Sequence, residues 1–223
     1  MIRKISYWLL PVWTFLFYTL LEALNSHLNP DGHSLMFPIA FLPHILLLLW
    51  SYIKGLRFFS LPRPGNGRFV ITVLAAAPLF LLLISAGYEI SDCLFVDFNC
   101  ITSEPFYSAT INCTYLLCTL LILRIAGLRL PKGKALFMCF LPVLLFAAGK
   151  LALIFFSGFS YQIEEEIILD MIPERYGDDF GLSVLHYCKL FEYFYTLVII
   201  FFTVYWTMKY NHEQRRISDE QNS

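Results

Sequence analysis

The 223-residue chain has little charge. Asp, Glu, Lys and Arg together make up 15% of it, against ~25% in an ordinary soluble domain. That scarcity excludes a mostly solvated surface. The formal net charge is −1, so no generally basic face for nucleic acid is expected. Catalytic signatures are absent too: the sequence contains no P-loop, no HExxH, no GxSxG and no CxxC, which excludes the enzyme classes built on those motifs. No cofactor and no metal are expected. The trio His27, Asp31 and His33 in "HLNPDGH" fits no standard zinc spacing and reads as a polar turn. Asn112-Cys113-Thr114 matches a glycosylation acceptor pattern but falls inside an apolar run, where the pattern has no meaning.

Apolar residues fill the space that charge leaves. They make up 58% of the chain, and aromatics alone 17%; a soluble domain is ~45–50% apolar. A water-facing fold has no core large enough for this much apolar surface, so lipid is the expected solvent and the lipid bilayer the expected partner. Crossing the hydrocarbon takes about 20 residues of helix, and six runs approach that length: 5–24, 35–53, 69–88, 108–126, 135–157 and 184–208. The first is too long for a signal-peptide core and lacks a small-residue cleavage site, so it reads as a retained helix. The expectation is an all-α polytopic membrane protein: a six-helix domain over 1–208 followed by a polar tail over 209–223.

The cations fix the expected sidedness. Arg3 and Lys4; Lys54, Arg57, Arg63 and Arg68; Arg124, Arg129, Lys132 and Lys134; and Lys209, Arg215 and Arg216 all fall on one side of the six runs. These are 13 of the 16 Lys and Arg. Only Arg175 falls on the other side, while Lys150 and Lys189 lie within runs. Positive loops stay in the cytoplasm, so both termini are expected there, in a plasma membrane of the bacterial inner-membrane kind. The outer connections are acidic. One of them, "YQIEEEIILDMI" over 161–172, has isoleucines at helical spacing and predicts a short amphipathic outer helix ended by Pro173. Such acidic loops suit a membrane or envelope protein partner. Cys93 and Cys100 share an outer loop; they are candidates for a disulfide in an oxidising compartment, or else two independent thiols.

Two cytoplasmic loops are alike. "KGLRFFSLPRPGNGRF" (54–69) and "AGLRLPKGKALF" (126–137) both run Gly-Leu-Arg, Leu-Pro-basic, Gly, then Phe. This is either a duplicated hairpin or convergence on turn chemistry.

The best functional clue is the charge inside the runs. His186, Lys189, Tyr193 and Thr196 share one helical face, with Glu192 at its edge. By helical rise, Lys150 and Glu192 lie at matching depths, about 10 and 12 Å below the outer ends of their spans. His44, Glu22 and Glu89 also fall in the outer half. Buried charge in a bilayer costs at least ~2.5–3.5 kcal/mol and is normally paired or turned to a cavity. The expectation is therefore an outward-facing polar pocket lined by Glu22, His44, Glu89, Lys150, His186, Lys189, Glu192 and Tyr193, with Lys150 paired to Glu192. The competing account is snorkelling plus one structural pair. A small transporter, channel or accessory subunit is the expected role. The alternatives are an intramembrane enzyme on a lipid-linked substrate, with His44 or His186 as base, and an immunity-type or assembly protein that only binds a partner.

Overall fold

The computed structural model describes the backbone over residues 2–28, 36–95, 104–157 and 178–221, and side chains over 4–21, 23–24, 41–94, 105–152 and 190–221. Every regular element among them is a helix: α1 (Ile2–Trp8), α2 (Leu10–Leu28), α3 (Met36–Phe58), α4 (Asn66–Phe95), α5 (Glu104–Ile125), α6 (Lys134–Ser157) and α7 (Asp178–Gln221). The expected outer helix over 161–172 lies outside the described residues.

Among the described residues, four stretches are long and apolar enough to cross a membrane: Asn66–Leu94, Pro105–Ile125, Lys134–Ala152 and Leu190–Gln221. They correspond to the last four expected spans. The first expected span corresponds to α1 and α2, of which Leu10–Leu21 is the described apolar stretch. The two helices meet at Leu9, and the cause is Pro11. Proline has no N–H to give to the Tyr7 carbonyl, and its ring crowds that carbonyl. The flanking bonds survive, Leu9 N to Ile5 O at 3.1 Å and Trp13 N to Leu9 O at 3.0 Å, so the joint is a kink and not a break. In α3 the apolar positions run from Met36 to Ile53 with His44 among them, and Lys54 and Arg57 follow.

α7 is the hub. It packs against α2, α3, α5 and α6, while α4 lies on α5 and α3. Its buried positions Leu197, Phe201, Val204 and Met208 repeat every three or four residues, one stripe of a helix widened by Ile200. They meet Leu47, Leu48 and Tyr52 of α3 and Ile122 and Leu123 of α5 in one core. The outward faces are as apolar as the inward ones: Leu20, Leu74 and Leu82 are 66%, 70% and 68% exposed. Water does not tolerate that surface, and hydrocarbon does. Gly87 lets α4 and α5 come close, since a methyl group there would fall 2.6 Å from Thr114 Oγ1.

At one end of the bundle, α1 is tied down by aromatic contacts. Tyr7 stacks on Phe58 at 5.0 Å and Trp8 lies 4.7 Å from Tyr205, centroid to centroid. The loops α3–α4 and α5–α6 lie at the same end, which is hereafter the basic end. Each loop leaves its helix in the same way. Leu128 N bonds Leu123 O at 3.1 Å and Gly127 N bonds Arg124 O at 3.0 Å, with Gly127 at φ +93°; this is the Schellman cap, with glycine in the left-handed position. In the other loop Leu61 N bonds Leu56 O at 2.9 Å and Ser60 takes φ +53°. Each loop then enters its next helix with glycine four residues before phenylalanine, Phe69 N to Gly65 O at 3.0 Å and Phe137 N to Gly133 O at 3.1 Å. The two Gly-Leu-Arg triplets do not correspond, however. Gly55 is inside α3, whereas Gly127 lies past the end of α5. The loops share backbone devices in a register different from the one their sequences suggest.

Candidate functional site

The opposite end of the bundle holds a cavity of about 280 Å³. α5 supplies most of one wall. Its polar residues Ser108, Asn112, Tyr115 and Thr119 recur at spacings of four, three and four, so they form a stripe along one helix face. The first three line the cavity, and Thr119 continues the stripe into the core, where its hydroxyl donates to the Tyr115 carbonyl at 2.8 Å. α7 contributes Glu192, Tyr193 and Thr196, α4 Tyr88 and α6 Phe146.

Behind this lining sits the Lys150 ammonium. It forms an ion pair with Glu192 Oε1 and donates to Ser108 Oγ at 2.7 Å. The Ser108 hydroxyl in turn lies 3.5 Å from Glu192 Oε1, to which it donates. The Phe146 ring centroid is 5.4 Å from Nζ, close enough for a cation–π contact. Lys150 is 7% exposed and Glu192 29%. The lysine is thus the sealed partner, and the carboxylate is the one that reaches the cavity. One turn of α6 brings Phe146 and Lys150 to the same face. Close by, Tyr195 donates to the Pro142 carbonyl at 2.9 Å, joining α6 to α7.

Only some of the expected pocket residues come together here. Glu192 and Tyr193 line the cavity, and Lys150 braces it from behind. His44 is 1% exposed and lies behind the wall. It stacks on Tyr115 at 4.9 Å and meets Tyr193 edge-on at 4.6 Å, while Tyr193 stacks on Tyr18 at 3.7 Å. Its ring therefore works as a spacer in an aromatic column and does not face the cavity. Glu89 is exposed. It follows Tyr88, which lines the cavity, and adjacent helix positions diverge by about 100°. The side chains of Glu22, His186 and Lys189 lie outside the described residues. So do Cys100, the expected partner of the exposed Cys93, and the His27, Asp31 and His33 trio. Among the described residues no three His, Cys, Asp or Glu side chains gather as metal ligands.

The sequence reading missed Tyr88, Tyr107, Ser108, Asn112 and Tyr115, which make up half the lining. The polar stripe of α5 was the available signal, but neutral hydroxyls and amides carry less weight in an apolar run than charges do. Tyr107 also donates to Asp92 Oδ1 at 3.0 Å, pinning α5 to α4 at the cavity rim. No family model, no curated protein and no solved structure matches this chain.

Proposed function

We propose that the chain is a six-span plasma-membrane protein with both termini in the cytoplasm, of the bacterial inner-membrane kind, and that it serves as a small transporter or channel-like or accessory subunit through a polar pocket open to the outer side. The observation that carries this reading is the Lys150–Ser108–Glu192 cluster at the back of the cavity. A serine-bridged pair in a bilayer costs more than an apolar replacement of the same volume unless something uses it. Here its carboxylate reaches the space that four tyrosines, Asn112 and Thr196 enclose. Such a lining offers hydroxyl and amide groups and one anionic oxygen pair, which suits a small polar ligand. The thirteen-to-one distribution of loop cations supports the sidedness. The enzymatic alternative draws no support from His44, whose ring packs among aromatics.

Cysteine accessibility tests the reading. On a background with Cys93 and Cys100 replaced by serine, Tyr193→Cys is expected to react in intact cells with a membrane-impermeant thiol reagent. Ile200→Cys, two turns deeper and fully buried, is expected to stay inert. If Tyr193→Cys is inert, or reacts only in inverted vesicles, the outward pocket does not exist.

A further inference from the structure

The basic end carries a second cavity, of about 480 Å³, unconnected with the pocket just described. Asn211 on its wall is about 28 Å along α7 from Glu192 at the helical rise. The floor is apolar and buried: Tyr52, Leu56, Leu61 and Ala126. The walls carry Arg63, Arg68, Arg129 and Arg215, and neither Asp nor Glu lines them. The α3–α4 and α5–α6 loops and the last turns of α7 build it together.

Arg68 and Arg129 are placed by contacts with the α5–α6 loop and Asn211. Arg68 lies across the Gly127 backbone, where a methyl group would come 2.5 Å from its Nη1. Arg129 is fixed by its main chain: its N–H donates to Asn211 Oδ1 at 2.8 Å and its carbonyl accepts from Asn211 Nδ2 at 2.9 Å. Arg215 reaches Asp219 only at 4.0 Å on the exposed face of α7. Among the described residues, Arg63, Arg68 and Arg129 have no carboxylate within ion-pair distance. The cavity also borders the start of α4, with Gly65 and Arg68 in its lining. The first N–H groups of a helix lack intrahelical acceptors and carry the positive end of its dipole.

A cytoplasmic excess of cations explains positive charge at this end. It does not explain why all four cations in the concave lining are arginine while Lys132, Lys134 and Lys209 stand outside it. Guanidinium presents a planar fork that matches phosphate oxygens in pairs, which ammonium does not. Helix starts suit the same oxyanions.

We propose that this cavity is an anion site for a phosphate group, carried either by the headgroup of an anionic phospholipid or by a soluble phosphorylated molecule. The test uses the purified full chain with two probes. In native mass spectrometry with equal phosphatidylglycerol and phosphatidylcholine, one phosphatidylglycerol is expected to be retained at least about tenfold better, because the choline ammonium offsets its own phosphate and is repelled by the arginines, while phosphatidylglycerol carries an uncompensated phosphate charge. In phosphatidylcholine nanodiscs, inorganic pyrophosphate is expected to raise the melting temperature if the source is soluble. Retention of the lipid alone assigns a headgroup, a shift with pyrophosphate alone assigns a soluble ligand, and both together assign a site open to either. The pair Arg68→Lys with Arg129→Lys keeps the charge and is expected to keep the fold, yet to lose most of the binding. A Lys132→Gln, Lys134→Gln control is expected to keep it. If neither probe binds, or if the control loses as much as the arginine pair, the site does not exist.

Discussion

Ser60 is the one described non-glycine residue with a positive φ, at 53°. It occupies the place that Gly127 fills in the matching loop, where Leu61 N closes onto Leu56 O. A side chain in the left-handed region costs roughly 1–2 kcal/mol, and glycine gives back part of that through a more flexible unfolded chain. Ser60→Gly is therefore expected to raise the stability of the detergent-solubilised protein by about 0.5–1 kcal/mol, read as a higher melting temperature. A fall would mean that the Ser60 hydroxyl makes a contact worth more than the backbone relief. Ser108 shows the other way a single residue matters. One hydroxyl accepts from Lys150 and donates towards Glu192, so two charges share a neutral relay and neither is left short of a partner.

At the scale of elements, the segment read as a polar tail is a continuation of α7, which runs unbroken to Gln221. Past the apolar stripe, Lys209–Glu213, Arg215–Asp219 and Arg216–Glu220 are spaced four apart along its exposed face; such pairs add only a few tenths of a kcal/mol each. The firmer tether is Asn211, which bonds both backbone groups of Arg129 and the Thr207 carbonyl at 2.7 Å. Asn211→Ala is expected to release the α5–α6 loop, so that trypsin cuts after Arg129 or Lys132 several-fold faster while the folded yield stays near wild type. An unchanged cleavage rate would mean that the loop is held by something else.

These elements mark what the sequence could and could not tell. The four helices long and apolar enough to cross a membrane were legible because apolar length is a local property. The Lys150–Glu192 pair was legible because two depths, counted from helix ends, agreed. Pro11 was one of five prolines inside the apolar runs, with Pro38, Pro43, Pro78 and Pro142, each able to kink its helix, and nothing local says at which of them the helix turns. Ser108 was missed because its partners are 42 and 84 residues away, and nothing local distinguishes it from any other serine in a span. The four-arginine cavity was missed for the same reason: its cations come from three segments, and sequence read them only as a count per loop. The likeness of the two loops was visible, but the structural register is set by where each helix caps, which the shared triplets do not fix.

For the molecule as a whole, the two ends differ in kind. One carries a cavity lined by tyrosines and a carboxylate, the other a cavity lined by arginines, and an apolar core between them is wrapped by equally apolar outer faces. What organises the first cavity is the sealed lysine behind its carboxylate. A thermal double-mutant cycle on detergent-solubilised Lys150→Met, Glu192→Gln and the combination measures that directly. Glu192→Gln is expected to cost more than Lys150→Met, because Lys150 is the more deeply buried of the two and its ammonium would lose its ion-pair partner. The double variant is expected to lose less than the two single losses added, by a coupling of at least about 1 kcal/mol. Strictly additive losses would mean that the two side chains do not meet, and the account of the pocket would fall with them.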